Sequence, residues 1–248
     1  MTAPVNPIVI IPARLAASRL PRKMLEQVGG EPQVVHVWRR AAEAGVGRVV
    51  VACDAAEIRD VVAAAGGEAV MTDPALPSGS DRVAAAADLL DPEDAHDAVV
   101  NLQGDVREVG AAELRAVLAP LADAAIDIAT VATVMDPALR DDPNSVKAVL
   151  ALPAGARTGR ALYFSRATVP AGDGPLYHHF GLYAFRRAAL RRFVALPAGV
   201  LETRERLEQL RALEAGMRIG VALIDRVLRE VNTPADLERE RARLATPG

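Results

Sequence analysis

Short apolar runs alternate with segments of helical periodicity through the first half of the chain. The apolar runs are mostly rich in Val, Ile and Ala, and we expect them to form buried strands at Ile8–Ile11, Val49–Ala52, Glu68–Met71, Ala98–Asn101 and Ile128–Val134. Helical patterns occupy the intervals at Gln33–Ala44, Ala56–Ala65, Ser80–Leu90 and Ala111–Leu121. This alternation predicts an α/β fold with a mixed, mainly parallel sheet and helices on both faces.

The second half of the chain has a different pattern. The strings "NSVKAVLAL" and "HHFGLYAF" predict antiparallel strands on either side of a connector rich in Pro and Gly. A charged helix is expected over Glu202–Ala215, followed by a strand over Ile219–Leu223 and a final helix that starts at Thr233-Pro234. We therefore expect a single domain over 1–248, with a small antiparallel insertion over 145–200.

Local end signals support the helices of the first half. We expect Asp54 to cap the helix that starts near Ala56, and Gly66-Gly67 to end it.

The composition of the chain limits the kinds of binding partner that we expect. The chain has 248 residues, 51% of them hydrophobic, and a formal net charge of −3, which gives no reason to expect a nucleic-acid polymer as partner.

Cys53 is the only cysteine, so no disulfide can form within the chain, and we expect this thiol to be a small buried side chain. No apolar stretch approaches the roughly 18 residues of a transmembrane helix, and the N-terminus lacks a secretory pattern, so we expect a cytoplasmic protein without membrane insertion.

Four cations follow the first predicted strand within ten residues: Arg14, Arg19, Arg22 and Lys23. Ligands of open parallel sheets bind at the carboxyl ends of the strands, and Arg and Lys side chains there could bind a polyphosphate. The loop has neither a Walker nor a Rossmann glycine pattern, so an ordinary solvated basic loop stays open as the alternative.

Two further motifs follow predicted strands. In "VVNLQGDVR", Asp105 stands at the tip of a buried strand, where a carboxylate can hold Mg²⁺ bound to a triphosphate, although an aspartate in a turn would look the same. In "PSGSDR", the hydroxyls of Ser78 and Ser80 suit a base or a ribose, but they suit a helix N-cap better.

Taken together and in this order, these motifs resemble the 3-deoxy-manno-octulosonate (Kdo) cytidylyltransferase family, the CMP-Kdo synthetases of lipopolysaccharide assembly. The resemblance covers roughly Ile8 to Leu244. It is carried by the strings "IPARLAASRLPRK", "GGEPQVVHV", "SGSDR", "NLQGD", "DPNSVKAV", "ALYFSRATVP", "HHFGLYAFRR", "LETRERLEQLR" and "NTPADLE".

The resemblance implies a nucleotidyltransferase fold and a Mg²⁺-dependent enzyme that couples CTP to Kdo, with release of pyrophosphate. It also implies a homodimer, in which the 145–200 region contributes to sugar binding and to dimerisation.

The resemblance also assigns residues. Contacts with the nucleotide are implied for Arg14, Arg19, Lys23, Ser78, Gly79, Arg82 and Gln103. Catalytic roles are implied for Lys23, Arg19 and Asp105, and metal binding for Asp105 and Asn232. Contacts with the sugar acid are implied for Arg166, His178, His179, Tyr183, Glu208 and Gln209.

The residue types on the sugar side fit an anionic polyol, whose carboxylate suits Arg and whose hydroxyls suit Glu, Gln and His. On the predicted helix, Glu205, Glu208 and Gln209 would share one face, as they would on a plain solvated face. The paired His178 and His179 would point to opposite sides of a strand, so at most one of them enters a given pocket, and a lone inward histidine is more often a hydrogen-bonded core residue.

Several positions depart from the family pattern. Arg22 stands where the family has Gly, Met24 where it has Pro, and Val106 and Arg107 where it has an acidic or apolar residue and then Pro. Glu230 replaces a glycine, and Asn232 replaces the aspartate that serves the family as second magnesium ligand. Glu230 or Arg107 could compensate for the lost carboxylate.

These departures keep three hypotheses open. The first is a Kdo cytidylyltransferase. The second is a catalytically weak or inactive homologue that keeps the fold and binds nucleotide or a partner. The third is a transferase that uses a different acid sugar.

Overall fold

The computed structural model describes residues 4, 6–16, 20–229, 231 and 233–245. Its strands are β1 Pro7–Ala13, β2 Gln27–Val28, β3 Glu31–Pro32, β4 Arg48–Cys53, β5 Glu68–Met71, β6 Ala98–Leu102, β7 Ile128–Val134, β8 Lys147–Ala151, β9 Thr158–Ser165, β10 Tyr177–Arg186 and β11 Ile219–Leu223. Its α-helices are α1 Gln33–Glu43, α2 Ala56–Ala64, α3 Gly79–Leu90, α4 Ala111–Leu118, α5 Arg187–Ala195, α6 Val200–Glu205, α7 Leu210–Glu214 and α8 Pro234–Ala245. The α/β class and the strands and helices predicted for the first half are confirmed.

The chain divides into two compact units. The first unit contains Asn6–His96, Asn101–Leu114 and the described residues from Leu228 onward, and the second contains Asp97–Val100 and Arg115–Val227. The single domain over 1–248, with its subdomain over 145–200, remains a prediction.

In the first unit, the strand order is β5-β4-β1 and the pairs are parallel. The apolar side chains of β1 and β4 are almost entirely buried, which is why these segments read as continuous hydrophobic runs. Parallel pairing brings the carboxyl ends of β1 and β4 to one edge, where Ala13 is the register partner of Cys53.

In the second unit, the strand order is β10-β7-β11-β9-β8 and the pairing is mixed. β7 and β11 are parallel, whereas β10 with β7, β11 with β9, and β8 with β9 are antiparallel. The antiparallel strands predicted in the second half are thus confirmed, and β9 is a strand that the sequence pattern did not predict.

The helix expected over Glu202–Ala215 is wrong as a continuous element. α6 ends at Glu205, Arg206 takes a left-handed conformation with φ 55°, and α7 starts at Leu210. Because the helix is broken between Glu205 and Gln209, the shared helical face predicted for Glu205, Glu208 and Gln209 does not exist.

The cap predictions had mixed outcomes. Gly66, with φ 85°, ends α2 as expected, and Thr233 Oγ1 accepts from the backbone N–H of Asp236 at the start of α8. Asp54 is not the cap of α2, because the N-cap position is Ala55. Cys53 is buried as expected, and burial raises the pKa of its thiol.

Candidate active site

The basic loop and the strand-end carboxylate meet in the first unit. Asp105 lies three residues after the end of β6, and Lys23 Nζ donates to its Oδ2 over 2.6 Å. Both side chains are about one-seventh exposed, at 15% for Lys23 and 14% for Asp105, so the pair is shielded but reachable. Arg14 follows the end of β1 and is exposed. The structure therefore joins two of the three residues with predicted catalytic roles, and the third, Arg19, lies outside the described residues.

Arg22 occupies a backbone conformation that explains the glycine of the family pattern. Its φ of 58° and ψ of 19° are left-handed, and its backbone N–H donates to Leu15 O over 3.2 Å to close the loop. Its side chain is exposed and forms an ion pair with Glu57. The guanidinium at position 22 is therefore directed to α2.

Arg82 is a buried side chain that supports this loop. Its Nη1 donates to Thr72 Oγ1 over 2.6 Å, and its Nη2 lies 3.3 Å from Asp54 Oδ2. Asp54 in turn accepts the backbone N–H of Leu15 over 2.9 Å, so Arg82 supports the start of the basic loop through Asp54. This explains why Asp54 does not cap α2.

Ser78, Gly79 and Gln103 lie around the end of β6 and the start of α3. Ser78 is the N-cap of α3, where its Oγ accepts from Asp81 N over 3.2 Å, as favoured from the sequence. A Cβ on Gly79 would lie 3.6 Å from the Gln103 amide, so this amide lies close to the glycine. Gln103 Nε2 donates to Asn101 Oδ1 over 3.2 Å, which orients its amide.

Gln33 is a buried residue that sequence reasoning missed. It is the first residue of α1, has no exposed surface, and its Nε2 donates to Gly104 O over 3.4 Å. A Cβ on Gly104 would lie 2.8 Å from Met24 Sδ, so Met24 packs directly on the strand end. The signal that could have identified this position is the polar glutamine just before the apolar residues of the string "GGEPQVVHV".

Arg107 is not placed to substitute for the positive charge of a metal ion. Its side chain is 2% exposed, its Nε lies 3.5 Å from Glu240 Oε1 of α8, and its Nη2 donates to Val28 O over 3.3 Å. Burial lowers the pKa of Arg107, and the neighbouring Glu240 opposes that shift. Asn232 and Glu230, the predicted metal ligand and its possible substitute, lie outside the described residues.

In the second unit, Arg166 is held by a set of acceptors. Its Nε donates to Glu205 O over 2.8 Å, its Nη1 to Pro143 O over 2.9 Å, and its Nη2 lies 3.4 Å from Arg206 O. Its backbone N–H donates to the Glu205 carboxylate over 2.9 Å. The break after α6 therefore has a clear consequence, since it turns the carbonyls of Glu205 and Arg206 toward this guanidinium.

The two histidines differ in environment. His179 is buried, and its Nε2 lies 3.0 Å from the Thr130 hydroxyl, which is the environment of a hydrogen-bonded core residue. Burial lowers the pKa of His179 to about 3. Its ring also lies 5.6 Å from that of Tyr183. Burial and the charge of Lys147 lower the pKa of His178, whose Nδ1 is buried without a hydrogen-bond partner among the described residues.

Gln209 has unused hydrogen-bonding capacity. It is the N-cap of α7, it is 4% exposed, and its Nε2 has no hydrogen-bond partner in the described part of the chain. Glu208 lies just before it, between the two short helices. The two residues predicted for sugar hydroxyls are thus at the helix break and not on a helical face.

Comparisons with known proteins agree on one family. A family profile described as cytidylyltransferase matches residues 8–219. A 3-deoxy-manno-octulosonate cytidylyltransferase from Paramagnetospirillum magneticum is 60% identical, with 98% of this chain and 99% of the relative covered. The relative of the same name from Rhodospirillum centenum is 61% identical, with coverage of 98% and 95%.

The solved structures agree with the sequence relatives. A CMP:2-keto-3-deoxy-manno-octonic acid synthetase complexed with CTP superposes with a TM-score of 0.87 at 34% identity, covering 97% of this chain and 98% of that one. A 4-diphosphocytidyl-2C-methyl-D-erythritol synthase from Anaerococcus prevotii superposes with a TM-score of 0.63 at 13% identity, which shows the shared fold alone.

Proposed function

Because the chain belongs to the 3-deoxy-manno-octulosonate cytidylyltransferase family, we propose that it couples CTP to Kdo, giving CMP-Kdo and pyrophosphate for lipopolysaccharide synthesis. The observation that carries this proposal is the identity of about 60% to curated enzymes of that name over almost the whole chain. The meeting of Lys23 and Asp105 at the end of β6 supports it, because a cation and a carboxylate at a strand end suit a metal-bound triphosphate.

On the nucleotide side, the charges of the first unit suit a triphosphate. Lys23 is a compact charge on a flexible stem, which can turn from Asp105 to phosphate oxygens, and the exposed Arg14 can form forked contacts with them. Arg19 completes this set by resemblance. The amide of Gln103, with Ser78, Gly79 and the buried Arg82 behind it, is proposed to bind the cytidine.

Mg²⁺ is the metal we propose for this site. Magnesium in such sites uses one or two carboxylates together with substrate phosphate oxygens, and Asp105 offers one such carboxylate, so the residues present fit the ion. No cluster of three or more potential metal ligands occurs among the described residues. When bound, the ion neutralises charge on the triphosphate, and Asn232 would offer it an amide oxygen.

On the sugar side, Arg166 is proposed to bind the carboxylate of the acid sugar. A guanidinium carries five N–H donors, and carbonyls engage only three of its N–H bonds, so two donors on the Nη atoms remain for a carboxylate. Gln209 and Glu208 are proposed to bind sugar hydroxyls, with His178 and Tyr183 nearby and His179 behind them as a buried support.

The chemistry is an in-line displacement. The anomeric hydroxyl oxygen of Kdo bonds to the α-phosphorus of CTP and its proton is released to solvent. The bond from that phosphorus to the bridging oxygen breaks, and pyrophosphate leaves with the electron pair. The protein contributes mainly by placing the reactants and stabilising negative charge.

Location and assembly are further proposals. No helix in the described ranges has the length and apolarity needed to span a bilayer. We propose the cytoplasm, where CTP is available, and the homodimer that the resemblance implies. Cell fractionation and light scattering would test these two points.

The deciding experiment is a pyrophosphate-release assay with CTP, Kdo and Mg²⁺. We expect turnover, a raised KM for CTP in Lys23→Met and a raised KM for Kdo in Arg166→Met. Arg40→Met is the matched control, since it removes an exposed cation of α1 that pairs only with Glu43 among the described residues.

Other outcomes would replace the proposal. CTP binding without turnover would favour a nucleotide-binding homologue, which the substitutions at Arg22 and Asn232 make the second candidate. Turnover with another acid sugar, but not with Kdo, would favour a transferase of different specificity.

A further inference from the structure

The chain uses lysine at only two of its 29 lysine and arginine positions, Lys23 and Lys147. Lys23 pairs with Asp105 and belongs to the site described above. Lys147 comes from the string "DPNSVKAV", for which no role has been assigned. Lysine differs from arginine in being a compact point charge with three donors, so its use here suggests a position that the larger guanidinium does not fit.

Lys147 is a buried cation with backbone partners. It is the first residue of β8, its side chain has no exposed surface, and its Nζ donates to Asp142 O over 2.7 Å and lies 3.4 Å from Arg166 O. No carboxylate of the described residues lies within ion-pair distance of this ammonium. Burial lowers the pKa of Lys147, and the charges of Asp142 and Asp141 oppose that shift.

The backbone partners of Lys147 are the attachment points of Arg166. Arg166 Nη1 donates to Pro143 O over 2.9 Å, which is the carbonyl next to the one that Lys147 holds. Lys147 also approaches the carbonyl of Arg166 itself, and in the sheet it is the register partner of both Ser165 and His178. One ammonium therefore fixes the backbone of Arg166 and the turn that orients its guanidinium.

The charge of Lys147 adds to that of Arg166. A buried ammonium without a carboxylate partner is costly, and its field acts strongly in a medium of low dielectric constant. The nearby His178 stays neutral more readily because its pKa is lowered, so it adds no competing charge at neutral pH. An anion bound by Arg166 would offset this unpaired charge, whereas a neutral sugar would not.

We propose that Lys147 is a positioning residue that holds Arg166 ready for the carboxylate of the acid sugar and raises the preference of the site for an anion. This inference rests on the proposed function, whose sugar side it deepens.

The first test measures steady-state kinetics of Lys147→Met, which keeps the length of the side chain and removes its charge. We expect the KM for Kdo to rise by roughly tenfold or more, the size of one lost charge-assisted hydrogen bond, and the KM for CTP to stay within about twofold. In the Arg166→Met background, Lys147→Met should raise the KM for Kdo little further. Arg160→Met is the control, since it removes an exposed cation of β9.

Two results of this test would overturn the inference. Equal KM values for Kdo in Lys147→Met and the wild type would show that the ammonium does not act on the sugar site. A full additional loss in the double variant would show that it does not act through Arg166. These results concern Lys147 alone, because turnover of CTP and Kdo by the wild type would still support the proposed function. If the wild type showed no turnover, the proposed function itself would be wrong.

The second test uses the wild-type protein and so does not depend on the folding of a variant. Protein labelled with ¹⁵N-lysine has only two side-chain ammonium groups, and Lys23→Arg assigns the signal of Lys147. With CTP present and Mg²⁺ omitted, we expect Kdo to shift the Lys147 signal, and CTP alone to shift only that of Lys23. A Lys147 signal that stays in place while the same protein turns over Kdo with Mg²⁺ would overturn the inference.

Discussion

Arg22 has a backbone conformation that suits glycine better than other residues. Left-handed backbone angles are sterically unfavourable for residues with a side chain, such as Arg22, but not for glycine. The family pattern has glycine at this position, so the structure supplies a physical reason for that preference which does not depend on any phosphate contact.

We predict that Arg22→Gly is more stable to heat than Arg22→Ala. Both variants lose the ion pair with Glu57, but only glycine relieves the left-handed strain, so the melting temperature of the glycine variant should be higher by about 2–4 °C. Calorimetry of the two variants measures this difference, and equal melting temperatures would mean that residue 22 is not left-handed in solution.

His179 should make the protein sensitive to mild acid. Its folded-state pKa of about 3 lies below the unfolded value of 6.5, so the unfolded state binds more protons between these values. Stability is then fully present above pH 6.5 and is lost as the pH falls toward 3, and at pH 5 this one group costs about 2 kcal/mol. The lowered pKa of His178 acts in the same direction.

Urea unfolding at pH 7 and pH 5 measures this loss. His179→Gln, which keeps a donor near Thr130 but does not titrate, should lose less stability between the two pH values than the wild type. The interpretation of His179 as a buried neutral ring would be wrong if both proteins lost the same amount.

At the scale of elements, α8 and the residue Val231 before it both contact the loop after β6. Val231 N donates to Asp105 O over 3.2 Å, and Arg107 faces Glu240 in the interior. Removing one member of a buried ion pair leaves an uncompensated charge, whereas replacing both members with apolar residues removes the desolvation cost as well.

We therefore predict that Glu240→Leu lowers the free energy of unfolding by about 3 kcal/mol, because it leaves the buried Arg107 without a carboxylate partner, and that Arg107→Leu with Glu240→Leu restores most of it. Chemical denaturation measures both values. Glu93→Leu serves as a control, because Glu93 is an exposed glutamate. Additive losses in the double variant would show that the two side chains are not coupled.

The break between α6 and α7 shows where element prediction failed. The charged segment has the composition of one helix, but Arg206 leaves the helical conformation, and its carbonyl and that of Glu205 face Arg166. A local pattern could not reveal this, because the acceptors are used by a residue forty positions away in the sequence.

At the scale of the whole molecule, the proposed activity would depend on the oxygens that Asp105 and Asn232 are proposed to offer to Mg²⁺. An amide binds Mg²⁺ more weakly than a carboxylate does, since it carries no formal charge.

We predict that Asn232→Asp combined with Arg22→Gly raises the rate of pyrophosphate release by about tenfold or more, equivalent to about 1.4 kcal/mol of transition-state stabilisation. Asn232→Gln in the same background should give no such gain, since it adds no charge. An unchanged rate in the aspartate variant would mean that these substitutions do not limit the enzyme.

The sequence by itself determined the order and type of the elements in the first half, the strand-end position of Asp105 and the family. These depend on periodicity and on local signals such as the Gly66 end of α2, which act within a few residues. The tertiary structure decided what each polar group contacts: Lys23 with Asp105, Arg82 with Thr72, and Lys147 with the backbone of Arg166. Such partners are distant in the chain, and the cost of burying an unpaired charge selects them only once the strands have packed.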